Sequence, residues 1–341
     1  MNGPSLKHAD KRILVTGSAG FVGFHLSQRL LQDGALVLGV DNFSPYYDVT
    51  LKERRTEILK QHAEFTLARI SLEDTKAMDA SWSAFKPDIV VHLAAQAGVR
   101  YSIDHPEIYV SANLIGTFNV LELARRYPVA HLLAASTSSA YGANETMPFT
   151  ETQRTATPLT LYAATKSATE LMGHSYSNIF RIPTTFFRFF TVYGPWGRPD
   201  MALFKFTKAI LEGQPIDVYN NGDMVRDFTF IDDLVEAIER LISVAPGSEP
   251  VDGDSLSPVA PYRIVNIGQG KPIQLLDYIG QLETTLGIRA TKNLMPLQTG
   301  DVPATEASSA LLERLTGYVP STPISVGVPA FVAWYREHYQ A

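Results

Sequence analysis

Tyr162 and Lys166 stand four residues apart in Tyr162-Ala163-Ala164-Thr165-Lys166, at the start of a helical pattern over 161–180. That spacing puts a phenol and an ammonium on one helix face. A phenol with an ordinary pKa of about 10 is a weak base at neutral pH. A neighbouring ammonium, and a positively charged ring brought beside it, would stabilise the phenolate and lower that value. Upstream, a strand over His131–Ser136 runs into Ser136-Thr137-Ser138-Ser139. Hydroxyls at the carboxyl edge of an open α/β sheet stand where such sheets bind ligands. The chemistry this suits is taking hydrogen from an alcohol.

Such chemistry needs a hydride carrier, and the amino-terminal segment supplies a place for one. A strand at Arg12–Thr16 leads into Gly17-Ser18-Ala19-Gly20-Phe21-Val22-Gly23, and an amphipathic helix follows. Glycines at 17, 20 and 23 suit a tight turn, close approach of backbone to a diphosphate, and helix–strand packing. The helix N-terminus then offers N–H groups and a positive dipole to the anion. Asp41 closes the second strand, 18 residues beyond Gly23. Its carboxylate is placed to accept from adenosine ribose hydroxyls and to repel a 2′-phosphate, so NAD is favoured over NADP. His25 and His92 read as packed structural histidines.

These elements sit in a chain of 341 residues, 45% apolar and 19% charged, with a net charge of −6 and no cysteine. That excludes disulfides, thiolate nucleophiles and Cys-metal sites, and no metal is expected. The acidic balance gives no electrostatic footprint for nucleic acid or a membrane surface. No signal peptide or membrane-length apolar run is present, so a cytoplasmic protein is expected. Further strands at 36–41, 64–70, 89–93 and 184–189, alternating with helices at 21–33, 51–61, 73–85 and 105–127, predict a Rossmann-type doubly wound parallel sheet. A smaller C-terminal α/β lobe follows, with helices near 274–286 and 323–339. Asp232 and Asp233 are expected to cap a helix running to about Val244. Residues 246–261, with four prolines, read as a mobile surface loop with little to bury. The expected division is 1–189, with 228–245 returning to it, against 190–227 and 246–341.

The sequence resembles the extended short-chain dehydrogenases/reductases, and within them the nucleotide-sugar 4-epimerases acting on UDP-glucuronate. The likeness runs through Gly17–Gly23, Asp41-Asn42, Ala94–Arg100, Ser136–Gly142, Tyr162–Lys166, Phe189–Met201 and Arg226–Thr229, with 189–206 its most specific stretch. It implies that Tyr162 is the base at a sugar 4-hydroxyl, that Lys166 holds the nicotinamide ribose, and that Thr137 bonds the reacting oxygen. It adds Phe21, Val22, Asn42, Ile70, Leu93, Ala94 and Ala95 to the cofactor contacts. On the substrate side it implies Arg100, Ser138, Ser139 and Thr191, with Arg198 near the sugar, Arg226 on the diphosphate and Asp301 at the uridine ribose. Relatives acting on galactose usually carry Asn at the position of Thr191, so Thr favours a uronate. Relatives also usually end the third strand with Asp, where this chain has Arg69-Ile70, a departure at the adenine contact.

The implied reaction passes through a 4-keto sugar that turns over and is reduced from its other face. A 4-keto uronate is a β-keto acid, and Thr191 with Ser138 and Ser139 is expected to hold its carboxylate out of the geometry that loses CO2. The resemblance also implies a homodimer packed through helices 105–127 and 161–180. Competing readings are a UDP-glucuronate decarboxylase, a UDP-glucose/galactose 4-epimerase, and a non-catalytic NAD-binding sensor. A 4,6-dehydratase would want an acid pair where Ser138-Ser139 stands.

Overall fold

The computed structural model describes residues 7–247 and 249–340. The β-branched runs and helical patterns alternate as β1 (Arg12–Thr16), α1 (Phe21–Gln32), β2 (Leu36–Val40), α2 (Val49–Leu59), β3 (Phe65–Ala68), α3 (Thr75–Phe85) and β4 (Ile89–His92). Two short turns, α4 (Tyr101–Asp104) and α5 (Pro106–Tyr109), pass through a π-helical stretch at Val110–Ile115 into α6 (Gly116–Arg126). Then come β5 (His131–Thr137), α7 (Leu161–Phe180) and β6 (Thr184–Phe189). The remainder runs β7 (Thr191–Tyr193), α8 (Ala202–Leu211), β8 (Ile216–Val218), β9 (Val225–Phe230), α9 (Ile231–Ile242) and β10 (Tyr262–Ile267). It ends with β11 (Pro272–Gln274), α10 (Leu275–Leu286), β12 (Lys292–Leu294), α11 (Ala310–Thr316) and α12 (Ile324–Tyr339).

Seven strands form one sheet in the order β10-β6-β5-β4-β1-β2-β3, every neighbouring pair parallel. This is the doubly wound sheet the alternation predicts. Both faces are covered, as the unbroken apolar strands require. Ile13 and Val15 pack with Phe24, Leu234 and Ile238 on one side. Leu14, between them, packs with Met78, Trp82 and Val120 on the other. The strand order reverses between β1 and β4, so the carboxyl ends of these strands diverge around a crevice. Above that crevice stands the smaller lobe, built on a three-stranded sheet β11-β9-β7 and the pair β12-β8.

Four expectations are corrected by packing. The helix expected over 105–127 is broken into α5, a π stretch and α6, because Asn113 bonds the backbone of Gln96 and Thr165 Oγ1 instead of following the helical stripe. Asp233 does not cap its own helix. It accepts from Tyr318 Oη, from the backbone N–H groups of Ser321 and Thr322 and from Thr322 Oγ1, at 2.7–2.9 Å, fastening a loop far along the chain. The loop expected to bury little instead buries Asp254, whose carboxylate takes both arms of the Arg263 guanidinium at 2.8 Å. Finally, residues 262–267, assigned above to the second lobe, form β10 at the edge of the large sheet.

The Asp254–Arg263 pair is almost wholly buried, at 1% and 4% side-chain exposure. Removing one partner leaves an uncompensated charge. Asp254→Ala is therefore expected to lower the unfolding free energy by about 3–5 kcal/mol in denaturant titration, whereas a change under about 1 kcal/mol is what an exposed pair would give.

Candidate active site

The glycine turn forms the floor of the crevice. Gly17 has a φ of +74°, and a Cβ there would meet Ala94 N at 2.9 Å. A Cβ on Gly23 would come within 2.0 Å of Gly17 O, so only hydrogen lets α1 start where it does. Gly20 caps α1 without a side-chain hydrogen bond, which leaves the first N–H groups of the helix facing the crevice for an anion. Thr16 Oγ1 accepts from Leu93 N and Ala94 N at 3.1 and 3.0 Å, pinning the chain leaving β4 beside the turn. Its other contact is His92, which also reaches Thr117, so His92 is a satisfied core histidine. Burial lowers that imidazole to a pKa of about 3. His25 likewise bonds Pro195 O at 2.9 Å.

Asp41 is buried, accepting from Ala19 N at 3.0 Å and Phe43 N at 2.8 Å, and keeps lone pairs for a ribose. A cradle that no Cβ can enter, free helix N–H groups and this carboxylate together fit a dinucleotide. Arg69, the departure noted above, turns outward, its guanidinium 4.3 Å from the centroid of the Phe43 ring, and Ile70 alone lines the crevice.

Over this floor stands α7. Thr160 caps it by accepting from Ala163 N at 3.3 Å, so Tyr162 and Lys166 occupy its first turns. Lys166 is 3% exposed. Burial pulls its pKa down to about 8, opposed by the Glu170 carboxylate one turn further on. Glu170 is itself held by both arms of Arg188, at 2.9 and 2.7 Å, and by Ser136 Oγ. Burial pushes the Tyr162 phenol up, while a hydrogen bond with Thr137 and the charge of Arg198 oppose the rise. The expectation joins the Lys166 ammonium to a positively charged ring, and the protein by itself supplies only the first. Without that ring the phenol lies above its ordinary pKa. Thr137 ends β5, and its Oγ1 accepts from Ser139 N at 3.1 Å, shaping the turn that carries Ser138 and Ser139.

The second lobe contributes the cations. Arg198 donates from Nε to Asp200 Oδ1 at 3.0 Å, and Tyr46 Oη donates to Asp200 Oδ2 at 3.1 Å. Burial works against the Arg198 charge, and the Asp200 carboxylate more than offsets it. Arg226, on β9, bonds the carbonyls of Val225 and Pro303, and burial lowers its pKa despite Asp301 nearby. Arg100 reaches across from the first unit to Asp301 at 2.7 Å and lies over the Tyr219 ring.

All the sequence-predicted residues line one cavity of about 1180 Å3. Gly17, Gly20, Phe21, Val22, Gly23, Asp41, Asn42, Ile70, Leu93, Ala94 and Ala95 form one end, with Thr137, Tyr162 and Lys166 lining it too. Arg100, Ser138, Ser139, Thr191, Arg198, Arg226 and Asp301 complete the wall. Such a volume is larger than one small ligand needs and suits two bound end to end.

Residues 13–268 match the model of the NAD dependent epimerase/dehydratase family. The chain belongs to that family. It is 53% identical to a probable UDP-glucuronate 4-epimerase of Rhizobium meliloti, over 96% of this chain and 98% of the relative. Among solved structures it is similar to the UDP-glucuronic acid 4-epimerase of Bacillus cereus in complex with UDP-glucuronic acid and NAD, with a TM-score of 0.87, 32% identity and coverage of 96% and 100%. It is also similar to the UDP-glucose 4-epimerase of Thermotoga maritima with UDP-glucose, at a TM-score of 0.85, 28% identity and coverage of 96% and 99%.

Within this epimerase family member the sequence motifs did not single out Asn113, Tyr46 or Asp200. Asn113 is a buried amide in an otherwise helical run, which is the signal that would have found it. Asp200 carries no such signal, since only the fold shows its side chain meeting Arg198.

The lysine sets a pH dependence. Its folded pKa lies below the ordinary lysine value, so the ammonium is present below pH 8 and lost as pH rises through about 8. Epimerase kcat/KM is expected to fall with an alkaline limb near that pH. A profile flat to pH 10 would mean that the charge on Lys166 is not used.

Proposed function

We propose that the protein epimerises UDP-glucuronate and UDP-galacturonate at C4, using NAD that stays bound through the cycle. The observation that carries this is the meeting of Tyr162, Thr137 and Lys166 with Ser138, Ser139 and Thr191 in one cavity entered from both lobes. A buried uronate carboxylate needs donors, and three hydroxyls beside the reacting group supply them. NAD supplies, when bound, an acceptor and later donor for the C4 hydride and a positive ring that favours the phenolate.

The residues' part follows from their positions. Tyr162 Oη takes the proton from the 4-hydroxyl, with Thr137 Oγ1 bonding the same oxygen. Lys166 holds the nicotinamide ribose and keeps positive charge near the phenol. Arg226 and Arg198 hold the diphosphate and sugar while the 4-keto sugar turns over, a movement for which the wide cavity leaves room. Once the sugar presents its other face for hydride return to C4, Tyr162 gives the proton back to the 4-oxygen. Thr191, with Ser138 and Ser139, holds the carboxylate near the plane of the C4 carbonyl, where CO2 loss is slow.

We also infer a cytoplasmic homodimer. Ile115, Phe118, Leu171 and Ile179 leave apolar surface on the outer faces of α6, the preceding π stretch and α7, at 44–73% exposure, which supports pairing through these helices. The cysteine-free sequence suits a reducing compartment.

Incubation with UDP-glucuronate followed by NMR should show UDP-galacturonate and no pentose, with UDP-glucose turned over far more slowly. Equal turnover of UDP-glucose would favour the neutral-sugar reading, and UDP-pentose as sole product the decarboxylase. Tyr162→Phe should lower kcat by about 10²- to 10⁴-fold. Thr191→Ala should release UDP-pentose beside the epimer, and its absence would remove the carboxylate-holding role.

A further inference from the structure

Arg55, on α2, is fully buried, and the mechanism above does not use it. Its hydrogen bonds go to three neutral acceptors. Nη1 donates to Ala19 O and Tyr47 Oη, both at 2.9 Å, and Nη2 donates to Trp196 O. Nε is buried with no partner. A guanidinium out of water with no carboxylate on its fork is costly, and such a cost is kept where the charge or the geometry has a use.

The acceptors show the use. Ala19 is the middle of the glycine turn, and its N–H is held by Asp41, so Asp41 and Arg55 grip the two ends of one short stretch of backbone. Trp196 lies two residues before Arg198, in the left-handed region at φ +59°. A tryptophan keeps that conformation only when its surroundings impose it. The ring packs edge-on to Phe24 at 5.5 Å between centroids, and Pro195 O accepts from His25, so α1 supports the loop from below while Arg55 takes the carbonyl. One planar fork thus joins the backbone that would cradle the diphosphate to the loop that aims Arg198 into the cavity. Its charge also stands behind the turn, on the same side of the balance as the α1 N-terminus.

We propose that Arg55 is a positioning residue shared by both halves of the site, fastening the glycine turn to the Arg198 loop so that NAD retention and the hold on the nucleotide sugar depend on the same fork. The substrate half rests on the function proposed above, whereas the NAD half holds whatever the sugar is. An ammonium at this place carries the charge but cannot reach both carbonyls in fixed geometry.

The test uses full-length holoprotein carrying Arg55→Lys, Tyr47→Phe or, as control, the exposed Arg54→Met, whose arginine bonds His338 on the surface. NAD released on repeated ultrafiltration and KM and kcat for UDP-glucuronate with NAD in excess are measured. Arg55→Lys should lose NAD about tenfold faster and raise KM about fivefold, with kcat changed less than about threefold. Tyr47→Phe, which keeps the guanidinium and removes one acceptor, should lose NAD about twofold faster, and Arg54→Met should match the parent. NAD retention by Arg55→Lys within about twofold of the parent overturns the proposal, since the fork is then dispensable. Loss of NAD with an unchanged KM overturns the coupling. A uniform fall in kcat with both other readings at parental values marks a merely structural residue and also overturns it.

Discussion

A lysine ammonium with almost no access to water, set one helical turn from a half-buried tyrosine, is the constraint on which the site depends. Burial disfavours both charged forms, so neither phenolate nor ammonium comes free. The fold meets this in layers along α7. Glu170 sustains the charge on Lys166, Arg188 and Ser136 hold Glu170, and the Arg188 guanidinium lies 4.7 Å from the centroid of the Tyr141 ring. Thr137, from the neighbouring strand end, and Arg198, from the second lobe, act on the phenol directly. Even so, burial outweighs them and the phenol stays above its ordinary pKa.

The rest of the molecule arranges that this pair meets its reactants in one place. The parallel sheet brings the ends of β1, β4 and β5 to a single edge, and the reversal of strand order opens it. Glycines let the backbone approach there, and Thr16 keeps the neighbouring chain from drifting. The second lobe adds Arg198, paired with Asp200, and Arg226, bonded to two carbonyls, while Arg100 of the first unit pairs with Asp301. Cations held in this way lose little side-chain freedom when an anion arrives.

Much of this was legible from residue order. The strand at Arg12–Thr16 and the helix at Leu161–Phe180 fall where periodicity places them, because local signals and tertiary packing agree. The candidate residues converge because a doubly wound sheet leaves its strand ends no other edge. What escaped was set by partners distant in sequence. Asp233 looks like a cap until Tyr318 and Thr322 arrive to use it, and the polar loop looks empty until Arg263 claims Asp254. The π turn escaped because one extra residue per turn leaves composition unchanged while re-aiming Asn113. The upward push of burial on Tyr162 escaped because spacing fixes which groups are neighbours but says nothing of how dry their surroundings are.

The most direct measurement of the central claim follows the hydrogen itself. With UDP-glucuronate carrying deuterium at C4, one enzyme-bound carrier that takes the hydride and gives it back predicts UDP-galacturonate with the label still at C4. In a mixture of labelled and unlabelled substrate, no molecule should gain deuterium from another. Exchange of the label into water, or its scrambling between substrate molecules, would contradict the account of a phenol–lysine pair serving a retained cofactor.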